Sequence, residues 1–281
     1  MVHREGPHGA MGALTIRPGI DPVTLARWAQ RNPFRHAFAA YDLVHAPQWS
    51  RFFSLWEGGE AVGYILEWRG EPRYPVFHWV GPQAPPDKLR EWLPAGPWIA
   101  IIPPELEAPL RATFPAVRTY PLLGLIHLPI TSRREPGPDL PPGFEVRRLS
   151  PADRPGVEAL VRQFPGETVL SAYLRPDLAL QRILGVVTPP PSSEVVAVGR
   201  TSAETAECWI LGGLFTHPAH RRKRLGQAIT AALLEEASRA GASLGLFVRA
   251  DNGPARELYR SLGFTPAEPR VWADLGTGSA P

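Results

Sequence analysis

Four consecutive basic residues, Arg221, Arg222, Lys223 and Arg224, stand between an apolar run that closes at Thr216 and a helical pattern that starts at Leu225. In isolation such a run is a solvated turn. At the start of a helix it becomes an anion site, because the first N–H groups of a helix lack intrahelical acceptors and the dipole is positive there. The helix that must present those groups is well marked. Leu225, Ala228, Ile229, Ala232, Leu233, Ala237 and Ala240 recur at helical spacing, and Gly241 supplies the C-terminal stop. Cys208 is the one cysteine in the chain, so no internal disulfide and no cysteine zinc cage can form, and no motif pairs it with a His or acid partner as a nucleophile. His217 and His220 read as turn residues.

Two spacings around this helix carry more. In residues 215–226, Arg221 and Gly226 fall at the specified positions of V-x-P-x-x-R/Q-x-x-G-x-G/A, while Arg224 stands where glycine is usual and Arg222 where it is common. In residues 252–264, Asn252, Ala255, Leu258, Tyr259, Gly263 and Phe264 fit N-x-x-A-x-x-L-Y-x-x-x-G-F at every specified position. Together the segments resemble the acetyl-CoA-binding motifs of GNAT acetyltransferases, and the resemblance spans the C-terminal half. Within that superfamily it is most similar to the branch that includes glycine N-acyltransferase-like proteins.

The resemblance implies an acyl-CoA site. Backbone groups of Leu214, Phe215 and Thr216 would bind the pantetheine arm as an added strand. Arg221 and the amides of Arg222, Lys223, Arg224, Leu225, Gly226, Gln227 and Ala228 would hold the pyrophosphate. Asn252, with Ala255, would meet the arm from the loop. Tyr259 would lie near the sulfur and protonate the departing thiolate, core packing being its competing role. An amine then attacks the thioester directly, a strand amide near Phe215 polarises the carbonyl, and a base or water takes the ammonium proton. Glu207 and Glu167 are candidates for that base, against the simpler reading of each as a surface carboxylate. No metal is required. The acceptor is an amine of unspecified kind, and the alternative to an enzyme is a non-catalytic acyl-CoA sensor or interaction module.

The elements around the motifs give an α/β fold with a mixed sheet, read as two tandem GNAT-like domains: a diverged one over 1–131, a linker at 132–142 rich in proline and charge, and the acetyltransferase domain at 143–281. In the first, helix is expected over 21–43, 86–93 and 105–114, with strands at 52–56, 62–68, 76–80, 98–102 and 119–128. In the second, strands are expected at 144–149, 194–201, 207–216, 243–248 and 270–275, and helices at 151–164, 169–184, 225–240 and 254–262. The first half lacks both motifs. Where a phosphate turn would stand it has Pro82, Pro85 and Pro86, which remove N–H donors, so it is not expected to bind CoA. Its tryptophans are expected in the core and interface, with some walling an acceptor cleft between the domains.

The bulk numbers agree with a folded protein: 281 residues, 44% hydrophobic, 20% charged and a net charge of +3. That charge is too small for a nucleic-acid signature, and the basic turn as a nucleic-acid contact would leave the motif at 252–264 without a reason. Residues 3–12 read as a loose leader without an apolar core, and no apolar stretch reaches spanning length. A cytoplasmic protein, monomer or homodimer, is expected.

Overall fold

The chain is described by a computed structural model over residues 14–70, 74–129, 139–164 and 177–277. The leader at 3–12, most of the linker at 132–142 and Glu167 lie outside those residues.

An unforeseen edge strand, β1 (Thr15–Pro18), opens the fold. Asp21 then accepts from the amides of Val23 and Thr24, and Pro22 takes the first helical position of α1 (Pro22–Arg31). The single helix expected over 21–43 is in fact two. Asn32, held out of helical geometry before Pro33, ends α1, and its carboxamide oxygen accepts from the Arg35 amide at 3.0 Å to start α2 (Pro33–His45). Gly58 and Gly59, at φ +57° and +88°, turn β2 (Ser50–Glu57) into β3 (Glu60–Trp68). There follow β4 (Val76–Val80), α3 (Pro86–Trp92), β5 (Trp98–Ile102), α4 (Glu107–Thr113) and β6 (Arg118–His127).

The second half runs β7 (Glu145–Arg148), α5 (Arg154–Val161), β8 (Ile183–Val187), β9 (Val195–Glu204), β10 (Cys208–Thr216), α6 (Leu225–Arg239), β11 (Ser243–Arg249), α7 (Gly253–Ser261) and β12 (Thr265–Leu275). The helix expected at 169–184 is corrected at its end: Ile183 and Leu184 are strand, paired with Arg200 and Gly199. Its earlier part, through residue 176, lies outside the described residues.

The twelve strands of the described residues form one mixed sheet in the order β1-β2-β3-β4-β5-β12-β6-β11-β10-β9-β8-β7. The middle of that order crosses over. β6, the last strand of the first half, pairs with β11, and β12, the last strand of the chain, pairs with β5; the two also pair with each other, from Thr265↔Ile126 to Asp274↔Arg118. The cores follow the strands. Val271 and Ala273 of β12 pack with Trp98, Leu89 and Leu110 in the first half, while Leu125 of β6 packs with Ile229, Leu233 and Leu246 in the second. The boundary between 131 and 143 thus divides the chain but not the sheet. A further bond between the halves is α2, whose Phe34, Ala37 and Tyr41 pack on Ala203, Cys208 and Ile210 of β9 and β10.

Candidate acyl-CoA site

The basic turn stands where the sequence puts it, between β10 and α6. Its backbone is unusual: Arg222 and Arg224 have φ of +67° and +59°, with Lys223 between them. In the motif, glycine is common at the first of these positions and usual at the second. The left-handed conformation therefore persists without the residue that adopts it freely, at a cost of about 1–2 kcal/mol for each side chain. Alternation of this kind turns successive N–H groups toward one side and makes an anion cradle. Among the described residues the amides of Arg222, Lys223, Arg224, Leu225, Gly226 and Gln227 have no hydrogen-bond acceptor, whereas the Ala228 amide bonds the Arg224 carbonyl at 3.0 Å. The amide run expected over 222–228 is corrected to end at Gln227.

The side chains divide. Arg221, Arg222, Lys223 and Arg224 are exposed, and Leu225 and Ala228 are buried in the core, leaving only the backbone of Leu225 for a ligand. Arg221 lies 5.9 Å from the ring of Phe164 and Lys223 5.7 Å from that of Phe144. His217 caps its own turn, accepting from the Ala219 amide at 3.2 Å, in keeping with its reading as a turn residue.

Ahead of the cradle the sheet opens. β10 and β11 pair in parallel only from Cys208↔Ser243 to Leu211↔Leu246, and β10 bulges between Gly212 and Phe215. From Gly212 to Thr216 the edge of β10 that faces β11 has no strand partner among the described residues, and this edge carries Leu214, Phe215 and Thr216. Aromatic rings stand beside the opening: Phe215 on Phe164 at 5.0 Å, and Phe247 of β11 on Phe34 of α2 at 4.9 Å. Phe34 is a neighbour that the sequence reading missed. The available signal was Gly245, a glycine in an otherwise apolar strand, where a Cβ would come within 2.3 Å of the Phe34 ring.

Tyr259 lies on α7 with its ring against Phe264 at 5.5 Å. Its hydroxyl has no hydrogen-bond partner among the described residues, and burial pushes its pKa above the ordinary phenol value, so it remains protonated. Asn252 is the N-cap of α7, its Oδ1 accepting from the Ala255 amide at 3.2 Å. The carboxamide NH2 and the second lone pair of Oδ1 are left to meet a ligand. Glu207 is corrected: it sits in the exposed turn before β10, its carbonyl accepting from the Ser243 amide. At about 3.3 Å per residue it is roughly 25 Å along the strand from Phe215, too far to take a proton there. Cys208 is fully buried and burial pushes its thiol up to about 12, which keeps it an inert thiol. No cluster of three metal-ligating side chains occurs among the described residues. No helix there is long and apolar enough to cross a membrane.

Residues 167–264 match the sequence model of the acetyltransferase (GNAT) family. No curated protein matches the chain. Among solved structures, a Drosophila protein superposes with a TM-score of 0.70 at 16% identity, over 94% of this chain and 99% of the other. A GCN5-related N-acetyltransferase from Sphaerobacter thermophilus gives 0.60 at 17%, over 95% and 98%. A tandem GNAT protein from the clavulanic acid biosynthesis pathway gives 0.57 at 17%, over 95% and 100%. At these identities the likeness is one of fold: a mixed α/β architecture shared with GNAT proteins across nearly the whole chain. The glycine N-acyltransferase-like branch is not among these similarities.

Proposed function

We propose that the second half of this chain binds an acyl-CoA and transfers its acyl group, most simply acetyl, to a primary amine by direct attack. The observation that carries this reading is the run of six amides, 222–227, without acceptors among the described residues, at the N-terminus of α6, beyond the point where β10 and β11 part. The site suits the group. A Cβ at Gly226 would lie 3.5–3.7 Å from Leu258, Leu214 and Thr216, so the cradle floor is closed by ordinary contacts and its upper side offers only N–H donors and exposed cations.

The acyl-CoA supplies the activated carbonyl, and the chain supplies placement. Amides 222–227 and the four basic side chains hold the pyrophosphate, with charge and dipole acting together. The unpaired edge of β10 over 214–216 takes the amide groups of the arm, and a free amide on that edge polarises the thioester carbonyl. The amine forms the new C–N bond as the C–S bond breaks, and the protonated phenol of Tyr259 gives its proton to the leaving thiolate. The proton lost by the amine passes to water or to a base outside the residues named here.

A CoA-binding module without chemistry is the second reading, favoured by one observation: Glu207 stands far from the opening. One titration series addresses both. The full chain should bind acetyl-CoA with a Kd in roughly the micromolar range. Gly226→Ala, whose Cβ meets only ordinary contacts, should keep that binding, and Gly226→Trp, too large for the space between Leu258, Leu214 and Thr216, should displace the cradle and abolish it. Absence of binding by the parent protein overturns the site. Binding without release of free CoA thiol across a panel of amines overturns the enzyme in favour of the module.

A further inference from the structure

A cavity of about 440 Å³ lies in the first half of the chain, and none of its lining residues belongs to the acyl-CoA site. It forms where β4 and β5, paired in parallel only from Val76↔Ile99 to His78↔Ile101, part beyond that register. α1 and α2 contribute Trp28, Arg35 and His36 to its wall, and β12 contributes Glu268 and Arg270. Its size falls within the ~300–1,000 Å³ of small-molecule sites.

Arg35, His36 and Arg270 bring donors to its lining, and Glu268 and Glu105 bring carboxylates. The Arg270 side chain is 7% exposed and uses one N–H on Glu268 at 2.5 Å and one on the Trp79 carbonyl at 3.3 Å. The remaining guanidinium N–H groups have no acceptor among the described residues. Arg35 reaches the other oxygen of Glu268 at 2.5 Å. Two guanidiniums on one carboxylate leave an excess of one positive charge. His36 adds a donor. Its Nδ1 is 3.0 Å from the hydroxyl of Tyr64, a buried phenol with no other hydrogen-bond partner among the described residues, so the phenol donates and the imidazole proton resides on Nε2. Burial first, then the nearby Arg35 and Arg270, hold this histidine at about 4, hence neutral.

We propose that this cavity is a second ligand site, which binds a small organic monocarboxylate through Arg270, Arg35 and the Nε2–H of His36. Within the Arg35–Glu268–Arg270 cluster the single excess charge balances a monoanion, whereas exposed Glu105 offsets that excess over the lining as a whole, so a dianion would be left with charge uncompensated. The planar guanidinium edges match a carboxylate. The half-buried Trp28 indole, stacked toward His36 and Tyr64 with centroids 6.1 Å from each, gives the ligand body an apolar wall.

The test is calorimetric titration and thermal unfolding of the full chain with benzoate, acetate and inorganic phosphate at constant chloride. Saturable binding and stabilisation by benzoate, exceeding that by phosphate at equal concentration, are expected. Arg270→Gln and Arg35→Gln should each weaken benzoate by about tenfold or more, the loss of one charge-assisted bond. Glu268→Gln should tighten it severalfold, because removing the internal carboxylate releases donors of both arginines. A purely structural ion-pair chain predicts the opposite sign there. If Arg270→Gln fails to fold, Arg35→Gln, with a side chain 47% exposed, carries the test. No saturable response by the parent, a response that survives Arg35→Gln, weaker binding in Glu268→Gln, or a preference for phosphate overturns the assignment. Gly226→Trp should leave benzoate binding intact, so failure here and failure of the acyl-CoA site are told apart.

Discussion

At the scale of single residues, Tyr259 combines a buried ring with a hydroxyl that bonds nothing else among the described residues. Those two facts separate its packing from its chemistry. Tyr259→Phe keeps the ring against Phe264 and removes only the proton, so kcat should fall by about 10²–10⁴-fold while the Kd for acetyl-CoA is unchanged and stability moves by less than about 0.5 kcal/mol. Steady-state kinetics with thermal unfolding reads all three. An unchanged kcat removes Tyr259 from proton transfer, and a lowered stability assigns the hydroxyl to the core. The place of Tyr259 on α7 could be read because its motif sets Ala255 and Tyr259 four residues apart on one short helix capped by Asn252, and four-residue spacing puts the two on one face. Glu207 was not legible. Nearness in sequence to β10 does not say which end of a 9-residue strand faces the opening, and Glu207 precedes the wrong end.

At the scale of elements, the turn into α6 holds two side chains in backbone conformations that suit glycine. Arg224, at φ +59° and ψ 15°, is the N-cap itself and makes no capping hydrogen bond through its side chain. Arg224→Gly should therefore stabilise the fold by about 1 kcal/mol, a rise in Tm of roughly 2–4 °C, since the strain it relieves is intrinsic to an L-residue there. It should weaken acetyl-CoA only by the loss of one exposed charge, because the amides of the cradle stay in place. If Tm falls instead, the Arg224 side chain contributes contacts that outweigh its strain. The helices and hairpins of this region follow from periodicity and turn residues, which act over a few positions and can be read locally. What periodicity leaves open is the effect of a single pre-proline residue within a helical pattern, as at Asn32, and the choice between strand and helix for a short apolar run, as at Ile183 to Val187.

At the scale of the whole molecule, the exchanged strands make the two halves one folding unit. β12 is hydrogen-bonded along both edges, to β5 through Val271–Leu275 and to β6 from Thr265 to Asp274, and it buries Val271 and Ala273 in the core of the first half. No sequence pattern announces this, because the pairing partners of β12 lie more than a hundred residues upstream and an unexchanged tandem would satisfy the same alternation. The consequence can be measured. Two domains joined only by a linker unfold separately, whereas a sheet whose central strands are shared loses both cores together. Seven of the nine tryptophans, all but Trp209 and Trp272, lie in the first half, so indole fluorescence follows that half while far-ultraviolet circular dichroism follows the entire chain. Urea transitions from the two probes should coincide with a single midpoint, and a chain ended after Phe264 should lose the native signal in both, since β5 and β6 are then left without the strand between them. Separated midpoints, or a first half that keeps its fluorescence signature without β12, would mean that the shared strands decorate two independently stable cores.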